Sequence, residues 1–164
     1  MTRPIRFGVT LPQIKRTWEQ ARDAAVEFDR LGFDSVWVCD HVYGVPLPNL
    51  PILEAWTLLS AVASITGRVK LGTLVTPPFF RNPAILAKQL ATVDQIAPGR
   101  VIAGLGAGWF APEFEQTGCG FPSTASSACT PPRNVIDSPR AGLSSRERFL
   151  DPPRQENQNA ASDR

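Results

Sequence analysis

Between Ile5 and Leu105 a short apolar strand, a turn and an amphipathic helix follow one another at a period of roughly thirty residues, and that repeat leaves few folds open. Units of this kind place consecutive strands in parallel, with each connecting helix laid back over the sheet. The strand segments are read at residues 5–11, 34–39, 69–75 and 100–105. They are short, rich in β-branched residues and apolar on both faces, as a covered parallel sheet requires.

Three helices separate them. The first is expected from about Trp18 to Leu31, with Ala21, Ala24, Ala25, Phe28 and Leu31 on one stripe. Thr17 and Gln20 have the spacing of a capping box, and Gly32 stands where a left-handed stop belongs. The second runs over 53–65 and should face inward with Leu58, Val62 and Ile65. The third opens at Asn82-Pro83, presents Leu86, Leu90, Val93 and Ile96, and ends before Pro98-Gly99. The fold class is therefore α/β, a partial (β/α)8 TIM barrel of about four parallel strands. A complete barrel usually takes ~250 residues, and the chain has 164.

Composition narrows the rest. The 17 basic and 15 acidic residues leave a net charge of +2, which gives no case for a nucleic-acid partner. The longest apolar stretch, 52–65, contains Glu54 and is too short for a bilayer, and Met1 to Arg6 leads into a strand without a signal-peptide core. Cys39, Cys119 and Cys129 are odd in number and lack metal-ligand spacing, which suits reduced thiols in a cytoplasm. From residue 122 the text changes to Pro, Ser, Arg, Asn and Gln, with proline pairs at 131–132 and 152–153. Its few large apolar residues fall at no period, so disorder is expected over 122–164, with a structured domain over 1–121.

Candidate chemistry sits where the strands end. Asp40 and His41, the chain's only histidine, follow the second strand at the end where parallel α/β folds build their sites. No second histidine or cysteine cluster completes a metal site, so none is expected. After the fourth strand, Gly104-Leu105-Gly106-Ala107-Gly108 gives a glycine-rich turn. Pro112 follows closely and 113–118 is a poor helix, against a dinucleotide fingerprint. The turn allows either close approach of a flat or phosphorylated ligand, or tight packing at the barrel rim. Trp37, Trp56, Phe79, Phe80, Trp109 and Phe110 suit either a flat pocket or ordinary packing.

Taken in order, these segments resemble one family. Arg6-Phe7-Gly8-Val9, then 31–38 with Asp40-His41, looks like the opening of luciferase-like monooxygenases; so do 69–73, Arg81-Asn82-Pro83-Ala84, and Gly99-Arg100-Val101 leading to Gly106-Ala107-Gly108-Trp109. The resemblance covers residues 5–122 and lies nearest the subgroup that uses coenzyme F420, a deazaflavin, with FMN-dependent monooxygenases as the alternative. It implies a TIM barrel holding the ring cofactor at the strand carboxyl ends, a small-molecule substrate, and hydride transfer or monooxygenation. Asp40 and His41 would lie beside the ring as catalytic residues, with Asp40 also touching the cofactor. A bulge with a non-proline cis peptide would back the ring at Thr73, Leu74 and Val75, and Gly106, Ala107 and Gly108 would pass beside it. His41 would donate a proton or polarise the substrate. The family continues past residue 124 into a charged helix and four more βα units, and this chain does not. A truncated or frame-shifted product is therefore expected, inactive alone and prone to pair through open sheet edges; a non-catalytic fragment is the alternative.

Overall fold

The computed structural model describes residues 4–45 and 50–118. The expectations for 122–164, and for Cys119 and Cys129, lie outside the described residues. Eight elements alternate: β1 (Gly8–Thr10), α1 (Trp18–Leu31), β2 (Ser35–Val38), α2 (Ala55–Ile65), β3 (Lys70–Thr73), α3 (Pro83–Ile96), β4 (Val101–Ile102) and α4 (Ala111–Thr117). The strands form one parallel sheet in the order β1-β2-β3-β4, each pairing with its successor in the sequence. That order is the singly wound start of a barrel, and β1 and β4 have no further strand partner among the described residues.

The strands are shorter than the apolar runs that announce them, because pairing stops where the chain turns toward the loops. The capping box is formed as expected: Thr17 accepts from the Gln20 amide and the Gln20 side chain accepts from Thr17. Gly32 ends α1 at φ 92°, a left-handed conformation in which glycine carries no Cβ penalty. Asn82 caps α3 with Pro83 in its first turn. The second helix begins at Ala55 rather than 53, because Glu54 is its cap and accepts from Trp56 and Thr57.

The core lies between the sheet and α1–α3. Val36, Val38 and Leu71 from the strands meet Ala21, Ala25, Leu59 and Val62 from the helices, all at 1% exposure or less. The last residue of each predicted stripe falls off the core: Leu31, Ile65 and Ile96 are exposed. On the other face, the Trp37 indole spans three strands. A Cβ at Gly8 would stand 2.6 Å from its Nε1, and one at Gly72 would stand 2.7 Å from its ring. Glycine at both positions lets the indole lie flat across the sheet.

The two ends of the sheet are built differently. At the amino end, Asp29 accepts from the backbone amides of Gly67, Arg68 and Val69, and Arg100 donates to the carbonyls of Ala63, Thr66 and Val69. These bonds staple helix to strand and leave the chemistry to the opposite end.

Candidate active site

The loops after β1, β2, β3 and β4 converge at the carboxyl end of the sheet, and a buried glutamine organises the first two. Gln13, 4% exposed, donates to the Cys39 and Leu53 carbonyls at 3.0 and 3.1 Å and accepts from the Cys39 amide at 2.6 Å. Both backbone groups of Cys39 are thereby fixed, and the direction of the next two residues with them. Burial pushes the Cys39 thiol above its ordinary pKa, so it stays protonated near neutrality and is not an activated nucleophile.

Asp40 is 3% exposed, and both its oxygens are held by Arg81, one of them at 2.9 Å from Nη2. The same guanidinium reaches Glu54 at 3.2 Å, tying the β2 loop to the start of α2. Burial works against the charge on Arg81, but the bonds and charge of Asp40, aided by Glu54, outweigh it and raise its pKa. His41, with 20% of its side chain exposed, places Nδ1 2.9 Å from Oε2 of Glu113. Glu113 is 1% exposed and its other oxygen accepts the Val42 N–H. Trp109 stands edge-on to the imidazole at 6.2 Å between centroids and is itself 65% exposed.

After β3 the peptide between Leu74 and Val75 is cis, at the position implied by the resemblance. Thr73 donates through Oγ1 to the Gly104 carbonyl at 2.9 Å. The Gly106 amide donates to the Thr76 carbonyl at 3.0 Å. Of the two readings of the glycine-rich turn, packing accounts for Gly104 and Gly106: a Cβ at the first would overlap the Thr73 carbonyl, and at the second the Val75 side chain. That close approach brings Leu74, Val75 and Leu105 out together at the mouth, each 38% exposed or more. Together with Trp109, which stands against His41, they are exposed apolar side chains at this end of the sheet, an apolar ledge.

The sequence therefore locates Asp40, His41, Thr73, Leu74, Val75, Gly106, Ala107 and Gly108 at one end of the sheet. Three partners escape it. Residues 111–117 form α4, closed by Gly118 at φ 71°, where a poor helix was expected; Pro112 falls in its first turn, where a missing N–H is harmless. Glu113 becomes a partner of His41 only because that turn forms. Arg81 and Gln13 carry no local pattern that marks them. The aromatic series divides, with Trp56 buried and bonded to Thr76, Phe79 and Phe80 packed on Phe114, and Trp109 facing the mouth. No helix among the described residues is long and apolar enough to cross a membrane.

A singly wound parallel sheet with a histidine–carboxylate pair at its carboxyl end is the arrangement with which a (β/α)8 barrel begins. The chain belongs to the luciferase-like monooxygenase family, whose model matches residues 2–127. It is similar to the F420-dependent glucose-6-phosphate dehydrogenase of Amycolatopsis mediterranei (strain U-32), 41% identical over 105 residues, which are 60% of this chain and 30% of that protein. Among solved structures, an F420-dependent secondary alcohol dehydrogenase in complex with an F420–acetone adduct matches at a TM-score of 0.66 and 34% identity, over 74% of this chain and 37% of that one. The oxygenating constituent of 3,6-diketocamphane monooxygenase from Pseudomonas putida, a type II Baeyer–Villiger enzyme in complex with FMN, matches at 0.57 and 26%, over 69% and 32%. The chain thus spans about a third of the length of the relatives it matches.

Proposed function

We propose that this chain carries the cofactor-side wall of an oxidoreductase site that uses coenzyme F420 and acts on a small hydroxyl or carbonyl substrate. The observation that carries the reading is the exposure of Leu74, Val75, Leu105 and Trp109 at the carboxyl end of the sheet, where Trp109 meets His41, in a chain of this family. A flat ring laid on that ledge covers apolar side chains that water otherwise wets. The choice of F420 rests on the named relatives, since the F420-dependent ones are more similar than the FMN-bound one.

Bound there, the deazaflavin supplies a hydride acceptor or donor. The chain's own residues do the rest. Leu74 and Val75 would back the ring, and Ala107 and Gly108 would border it. In oxidation of a hydroxyl, its proton passes to Nε2 of His41 as its carbon loses a hydride, and reduction reverses both transfers. Asp40, with both oxygens on Arg81, anchors the β2 loop more than it contacts substrate. The ledge and the Trp109 face keep water from the reacting carbon.

The four strands among the described residues give wall on one side of the ring only. As these 164 residues the protein is expected to bind the cofactor weakly, to turn over far below a closed barrel, and to associate through the β1 and β4 edges. Its proposed location is the cytoplasm, in keeping with the unpaired thiol of Cys39. The test is fluorescence titration with F420 and with FMN, alongside sedimentation. Saturable binding of F420 in preference to FMN is expected. Preference for FMN moves the chain to the monooxygenase side, and binding of neither overturns the reading.

A further inference from the structure

Glu113 is the most buried carboxylate at the mouth, and it spends both oxygens on the segment that carries His41. One oxygen accepts the Val42 N–H, so the side chain acts there as an acceptor and its orientation is set. The other stands 2.9 Å from Nδ1 of His41. A carboxylate accepts and does not donate, so this contact is a hydrogen bond only when Nδ1 carries the proton. The neutral ring is then left with a bare lone pair on Nε2, the nitrogen that Glu113 does not engage, on a ring that remains one-fifth exposed. Trp109 stands edge-on to the ring at 6.2 Å between centroids.

We propose that Glu113 is the positioning residue of the site: it holds His41 in the Nδ1–H tautomer and presents Nε2 to the mouth as the proton acceptor. The proposal rests on reading His41 as the proton-handling residue, but its geometry needs no cofactor. Free imidazole side chains favour the opposite tautomer slightly, so the effect has a measurable sign. A buried hydrogen bond to a charged group outweighs that bias, and an Nδ1–H preference of about tenfold or more is expected. Because α4 follows directly on the glycine-rich turn, any ligand that moves that turn also moves the carboxylate that orients the histidine.

His41 is the chain's only histidine, so a two-bond ¹H–¹⁵N correlation spectrum of the ¹⁵N-labelled 164-residue chain contains one imidazole pattern. With no cofactor present and at a pH where the ring is neutral, Nδ1 is expected to resonate as the protonated nitrogen and Nε2 as the bare one. Glu113→Ala should bring the ratio of tautomers to about one or below, and Glu113→Gln, which keeps one acceptor, should fall between. Core methyl signals report whether each variant is folded; if Glu113→Ala is not, Glu113→Gln decides, and a ratio unchanged from wild type counts against the proposal. A wild-type ring in the Nε2–H form, or the same pattern in folded Glu113→Ala, overturns it. Failure of F420 to bind leaves this result standing and strikes only the cofactor reading.

Discussion

Arg81 reaches back across forty-one residues to hold both oxygens of Asp40, and the same guanidinium touches the carboxylate that caps α2. One side chain from the β3 loop thus ties down the β2 loop and the start of a helix. Removing it leaves Asp40 buried without its counter-charge. Arg81→Ala is expected to lower stability by about 3 kcal/mol, at the low end for a broken buried pair because 17% of Arg81 remains exposed. Asp40→Asn combined with Arg81→Gln should recover part of that loss. Urea midpoints of wild type and the two variants check both claims, and a wild-type midpoint for Arg81→Ala contradicts the first.

The packing account of the glycine-rich turn makes a separate claim. A Cβ at Gly104 meets the Thr73 carbonyl, which is backbone and cannot swing aside. Gly104→Ala should destabilise by about 2 kcal/mol or more through overpacking. Gly67→Ala is the control: its nearest neighbour would be 4.0 Å away, and its effect should stay within about 0.5 kcal/mol. Thermal or urea unfolding of the two variants compares them. Equal effects would return Gly104 to the ligand-approach reading.

Asp29 gives the pH dependence a definite sign. Burial pushes its pKa up, but the amides of Gly67, Val69 and Arg68 outweigh that, and the folded value lies below the ordinary 3.8. A depressed carboxylate contributes stability that is complete above its unfolded pKa and fades as pH falls from there through the folded value. Asp29→Asn should therefore cost about 1.5 kcal/mol at pH 7, discounted for partial exposure, and progressively less below pH ~4. Unfolding midpoints of both proteins across acid pH test this. A gap that widens toward low pH would contradict it.

How far the sequence leads depends on whether a feature is local. Thr17 and Gln20, Gly32, and Asn82-Pro83 state their roles within a turn of chain, and the helices begin or end at them. Asp40 and His41 are visible because a strand precedes them. Strand lengths are overestimated at residues 69–75, since an apolar run continues after pairing has ended. Arg81, Gln13 and Glu113 act over twenty-six to seventy-two residues, and no periodicity encodes such a partner. Glu113 is hidden further by Pro112, which argues against a helix from composition yet sits where a first turn tolerates it.

The central claim, that the ledge beside His41 is the seat of a deazaflavin ring, is tested most directly by titrating coenzyme F420 into wild type and into Val75→Asp. Val75 is 38% exposed and packs on Gly106, so a charge there spoils the apolar face and its unfolding midpoint is measured alongside. Saturable change in F420 fluorescence with wild type is expected, with binding weakened about tenfold or more by Val75→Asp under conditions where the variant is folded. Equal affinity in the two proteins, or no saturable binding by wild type, would contradict the account.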